Sequence, residues 1–96
     1  MTVYVIVQLK MSDRAAYGRY QARFFDVFKK FQGRLLSADE SPAVLEGDWQ
    51  RDKVVLMSVP DEAACRAWDS PEYQEISKDR KAGASAIVLP AKGFGS

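Results

Sequence analysis

Over residues 2–10 apolar side chains fall on every second position, and from Tyr17 onward they fall on every third or fourth. That change of period constrains the fold more than any other feature, because a period of two is a strand and a period near 3.6 is a helix. Val3, Val5, Val7 and Leu9 form one face of the strand and Thr2, Tyr4, Ile6, Gln8 and Lys10 the other, so one face is apolar and one is mixed. Ser12 is placed to cap the helix, with Asp13 in its first turn, and Tyr17, Tyr20, Phe24, Val27, Phe28 and Phe31 make its apolar stripe. Arg14, Arg19, Arg23, Lys29 and Lys30 lie on the wet side, and Gly33 is expected to close the helix. A one-sided strand followed directly by a one-sided helix is the beginning of a helix-on-sheet layer.

The remaining chain repeats the theme. Residues 34–47 read as a second strand interrupted by the polar turn Asp39-Glu40-Ser41-Pro42, with 43–46 resuming it; Pro42 argues for an edge or bulged segment. Residues 47–52 connect to a third strand, Lys53–Val59, which Pro60 ends. Asp61 can cap a short helix through Ala63, Ala64, Ala67 and Trp68. In the stretch AWDSPEYQ, Ser70 and Pro71 then take the N-cap and first positions of a new helix running to about Ala82, closed by Gly83. Tyr73, Ile76 and Arg80 share one face of it, directed at the sheet or its edge. Residues 86–89 form a last strand and 91–96 a loose tail. The order β-α-β-β-α-β, with right-handed crossovers, predicts a four-stranded antiparallel sheet with the helices on one face. This is the ferredoxin-like α+β arrangement, in a single domain over residues 1–96, with its second helical region split at Ser70-Pro71.

The other face of such a sheet is uncovered. It carries Tyr4, Ile6 and Gln8 together with either Val54, Leu56 and Ser58 or Val55, Met57 and Val59. An apolar patch of that size predicts a partner, and the simplest is a second copy, sheet on sheet about a two-fold axis.

Composition removes several function classes. Fourteen Lys and Arg against thirteen Asp and Glu leave a net charge of +1, too small a field to gather nucleic acid or an anionic membrane. The sequence KGFG at residues 92–95 imitates the opening of an RNA-recognition signature but lies beyond the last strand, so no nucleic-acid partner is expected. No apolar run approaches the roughly 20 residues of a membrane span. The first residues read as a strand and not as an export signal, which makes the cytoplasm the default compartment. Cys65 has no partner for an internal disulfide and sits in an apolar, alanine-rich stretch, as a structural thiol does. The chain has no histidine, which excludes Ser–His and Cys–His nucleophile pairs, His-based zinc sites and a His-ligated haem. With no acidic cluster at ligand spacing either, neither a metal nor a cofactor is expected.

The stretch VLEGDWQRDKVVLMSVPDEAACRAWDSPEYQEISKDR, residues 44–80, resembles the small bacterial DUF1330 family of the dimeric α/β-barrel superfamily. The shared pattern is a Leu-Glu-Gly-x-Trp turn, an apolar strand ending in Pro, an alanine-rich helix, and a Ser-Pro-Glu-Tyr-Gln segment followed by an Arg. FQGRLL, residues 31–36, is similar to the family's Gly-Gly-Arg, with Gln32 in place of the first glycine. The resemblance implies the ferredoxin-like fold and a two-fold barrel dimer, in a family without an assigned function. Where many members carry a Glu near the end of the third strand this chain has Ser58, so a carboxylate base at that point is missing. Superfamily relatives include cofactor-free monooxygenases, lactone isomerases and haem enzymes.

Seven residues are candidates for a ligand cleft: Tyr4, Arg34, Asp48, Trp49, Ser58, Tyr73 and Arg80. Trp49 can stack on a planar ligand or pack over the sheet edge. Arg34 and Arg80 offer bidentate contacts to a carboxylate or oxyanion, or serve as salt-bridge partners. Asp48 is a base if desolvated and a turn cap otherwise. Tyr4 is the tyrosine best placed for a cleft, whereas Tyr17 and Tyr20 belong to the helix's core stripe. Two functions follow. One is a homodimeric module that binds a small molecule or acts as an accessory domain. The other is a cofactor-free monooxygenase- or isomerase-like enzyme holding a planar substrate between sheet and helices, with Tyr4, Trp49 and Tyr73 shaping the site and Arg34 or Arg80 stabilising negative charge.

Overall fold

Strand β1 (Val3–Met11) buries Val3, Val5, Val7 and Leu9 beneath the helices and turns Tyr4, Ile6 and Gln8 to the opposite face, as its alternation requires. The structure, a computed structural model, describes residues 1–67 and 70–94. Helix α1 (Arg14–Phe28) is capped by Asp13 and not by Ser12: the Asp13 Oδ1 accepts from the backbone N–H of Ala15 and of Ala16. Ser12 is engaged otherwise, its N–H donating to the Gly83 carbonyl at 2.9 Å. The helix tightens into a 3-10 turn, Lys29–Phe31, and the left-handed residue that ends it is Gln32, with φ 58°. Gly33 therefore has a different duty from the expected cap. A Cβ there would fall on the buried Phe28 ring, so the glycine lets the ring lie against the chain.

Strand β2 (Arg34–Asp39) pairs with β3 (Lys53–Val59), β3 with β1, and β1 with β4 (Ala84–Lys92), giving the all-antiparallel order β2-β3-β1-β4. Residues 43–46 do not resume β2. Asp39 Oδ1 accepts from the Ser41 N–H at 2.8 Å, an Asx turn that takes the chain off the sheet. It returns at Asp52, whose N–H donates to the Leu9 carbonyl and whose Oδ2 accepts from the Met11 N–H, each at 2.7 Å. Strand β4 is longer than residues 86–89: Ala91 and Lys92 pair with Tyr4 and Val3, and the Gly93 N–H donates to the Thr2 carbonyl. Pro90 does not stop it because β4 is an edge strand, where a missing N–H is tolerated.

Helix α2 (Glu62–Ala67) is capped by Asp61, whose Oδ1 accepts from Ala64 N–H, and α3 (Pro71–Gly83) by Ser70, whose Oγ accepts from Tyr73 N–H. Trp68, expected in the core, lies outside the described residues. Cys65 is half-buried and packs against the core. Gly83 permits α3 to end against the start of α1: a Cβ there would meet the Tyr17 backbone and the Asp13 carbonyl. The core lies between sheet and helices, with Phe28, Leu9, Ile76, Val5 and Val59 its largest fully buried side chains. The chain thus forms a four-stranded antiparallel sheet with three helices, a ferredoxin-like α+β fold. Among the described residues no helix is long and apolar enough to cross a membrane.

Candidate functional site

The register divides the seven candidate residues between the two faces of the sheet. Ser58 lies opposite Tyr4 on one side and Arg34 on the other, so these three form a row across β1, β3 and β2 on the open face. With Leu36 and Gln32 they line a shallow hollow at one end of that face. Asp48 and Trp49 lie at its other end, where the Trp49 Nε1–H donates to Gln8 Oε1 at 3.3 Å and Asp48 Oδ2 accepts from Gln50 Nε2 at 3.0 Å. Tyr73 and Arg80 are on α3, on the helical side. Tyr4 and Trp49 therefore do not meet Tyr73 and Arg80 across one cleft within a chain; the sheet separates them. The same register assigns Val54, Leu56 and Ser58 to the open face and Val55, Met57 and Val59 to the core.

A partly open cleft lies on the helical side, between α1 and the β2–β3 edge, with a volume of about 180 Å³. Helices α1 and α3 pack on each other, and edge strand β2 is exposed along its length, so this part of the sheet is left open at the cleft. A β-bulge between Leu35 and Ser37 shapes its floor. The extra residue brings Leu35 and Ala38, three positions apart, to the same face, opposite Met57 and Val55. The wall is the stripe of α1, where Tyr17, Tyr20 and Phe24 follow one another at centroid distances of 5.7 and 5.5 Å and the ladder continues at 4.9 Å to Phe28 in the core. Such spacings suit tilted and offset ring pairs.

Tyr17, Tyr20, Gln21, Lys53 and Arg80 interrupt this apolar lining. The Tyr20 hydroxyl is 3.3 Å from the Tyr73 hydroxyl. Burial raises the Tyr20 phenol far above its ordinary value, with the Tyr73 phenol adding to the effect. Burial also raises Tyr17, against the opposing pull of the Arg80 guanidinium. Both phenols are neutral near pH 7 and can donate or accept a hydrogen bond. Lys53, only 7% exposed, holds its Nζ 5.2 Å from the centre of the Tyr17 ring, a cation–π contact. Arg80 lines the same cleft with its Nε buried and without a hydrogen-bond acceptor among the described residues.

Of the seven candidates Arg80 alone lines this cleft, and Tyr73 touches it through Tyr20. Lys53, Tyr17 and Tyr20 are the members that sequence reasoning did not single out. Lys53 had a signal: it begins the run Lys53, Val55, Met57, Val59, so it is a cation on the face that is otherwise core. Among the described residues no three of Asp, Glu and Cys converge as a metal-binding group.

The fold recurs in solved structures. A Rhodopseudomonas palustris protein of unknown function superposes with a TM-score of 0.83 at 19% identity, covering 99% of this chain and 84% of that one. A dimeric ferredoxin-like protein of unknown function from Jannaschia sp. CCS1 gives 0.73 at 17% identity, covering 97% and 100%. SnoaB, a cofactor-independent oxygenase from Streptomyces nogalater, gives 0.71 at 14% identity, covering 99% and 95%. At these identities the likeness is one of fold. Comparison with the curated proteins gave no match. The family described as a domain of unknown function, DUF1330, matches residues 2–94.

Proposed function

The chain belongs to the DUF1330 family, and from that premise we propose that it is a homodimeric small-molecule-binding protein whose ligand enters the cleft between α1 and the β2–β3 edge. The observation that carries this reading is the cleft itself: an apolar cavity of about 180 Å³ in which a few polar groups converge from β3, α1 and α3. An apolar cavity of about 150 Å³ is enough to take up benzene, whereas drug-sized ligands occupy about 300 Å³ or more. The cleft thus has room for a single ring, with the rest of any larger ligand outside it.

Dimerisation through the open sheet face completes the reading. Ile6, Leu56, Ile87 and Leu89 share that face, and a patch of this kind is stable in water when a second copy covers it. The Jannaschia neighbour is described as dimeric, which supports a dimer without saying which face forms it. A second, catalytic reading takes support from SnoaB: a cofactor-free enzyme that oxygenates or isomerises its substrate would use the neutral Tyr17 and Tyr20 phenols and the Arg80 guanidinium to stabilise an oxyanion. The binding reading is favoured because the described lining of the cleft contains no carboxylate to act as a base.

The test is an NMR titration of the protein with benzyl alcohol, a neutral single-ring probe. Resonances of Tyr20, Phe24 and Met57 should shift and saturate, and Ala38→Phe, which places a ring in the cleft, should abolish the shifts. Shifts confined to the open face would remove the cleft from consideration.

A further inference from the structure

We propose that the ligand of this cleft is anionic, an aromatic ring carrying a carboxylate or phenolate that both Lys53 and Arg80 attract; the inference rests on the reading of the cleft as a binding site. Lys53 is 7% exposed and its Nζ faces the Tyr17 ring, with no carboxylate within salt-bridge distance among the described residues. A cation whose side chain is packed into an apolar lining and has no counter-charge favours an anion beside it. Arg80 repeats the pattern, since its buried Nε has no acceptor among the described residues. The acids that could serve are directed elsewhere. Asp79, the residue before Arg80, pairs with Arg19 at 3.3 Å, and Glu40, whose charge is felt at Tyr17, is exposed and pairs with Arg14 at 3.1 Å. Two cations from different elements thus line one apolar space with no acid in its described lining, which is the complement of a ring bearing a negative charge. The aromatic ladder of α1 supplies the surface for the ring, and a volume of about 180 Å³ admits one ring with its substituent.

Benzoate and benzyl alcohol, nearly equal in shape and different in charge, separate this inference from the reading beneath it. Titrated by NMR into the full chain, benzoate should bind about tenfold tighter than benzyl alcohol, the ratio one charge-assisted contact supplies. Lys53→Met and Arg80→Gln should each narrow that ratio, benzoate affinity falling more than that of benzyl alcohol. If Lys53→Met does not fold, Arg80→Gln, at the half-exposed side of the cleft, decides alone. Equal affinities in the unaltered protein, or a benzoate preference that survives undiminished in both folded variants, would overturn the anionic ligand and leave the cleft standing. A failure of both probes to shift Tyr20, Phe24 and Met57 would remove both.

Discussion

Gln32 carries a φ of 58°, the left-handed region in which a side chain is strained and glycine is not. The strain is about 1 kcal/mol, so Gln32→Gly should stabilise the fold by up to that amount and raise the thermal midpoint by several degrees in a circular-dichroism melt. A glycine at this point is also what the resemblance to Gly-Gly-Arg calls for, so the position was legible as a departure even though its backbone angle was not. Tyr20 gives a prediction in pH. Its phenol is raised far above the ordinary value of 10.0, so the folded chain keeps it neutral while the unfolded chain ionises it above pH 10. Its contribution is therefore intact below pH 10 and is lost as the pH rises further. Urea unfolding of Tyr20→Phe should show a shallower fall in stability above pH 10 than the parent. Lys53 marks the limit of reading residues singly: a lysine opening a strand looks like a solvent-facing end, and its burial follows from where α1 comes to rest above it.

Element boundaries were legible where local chemistry sets them and not where pairing does. Ser70-Pro71 starts α3 because the serine hydroxyl and the proline ring each suit the first turn of a helix, whatever the rest of the chain does. Ser70→Ala should cost about 1 kcal/mol in chemical denaturation, with no change in the sheet. Residues 43–46 have the composition of a strand, yet the Asx turn at Asp39 takes the chain off the sheet before they can pair. Strand β4 errs in the opposite direction, since Pro90 punctuates a sequence but interrupts only those strands that must donate on both sides. The Leu35/Ser37 bulge leaves no mark in the sequence, because it is a mismatch between two strands and neither strand alone contains it.

At the scale of the molecule the fold was readable because the order of two periodicities fixes it, and the site was not, because seven candidates were distributed over two faces that only a register can tell apart. Leu56 tests the assembly. It lies on the open face, outside the helix-side core, so Leu56→Lys should leave the fold intact and halve the sedimenting mass of the proposed dimer at micromolar concentration. A monomer in the unaltered protein would remove the sheet-face assembly itself. The bulged edge strand has one further consequence. Leu35 and Ala38 look into the cleft, while Arg34, Leu36 and Ser37 look out over the opposite side, so one six-residue strand addresses two surfaces through separate sets of side chains. Descendants of this chain can change what the inward pair admits without altering what the outward set adheres to, and selection can act on the two properties independently.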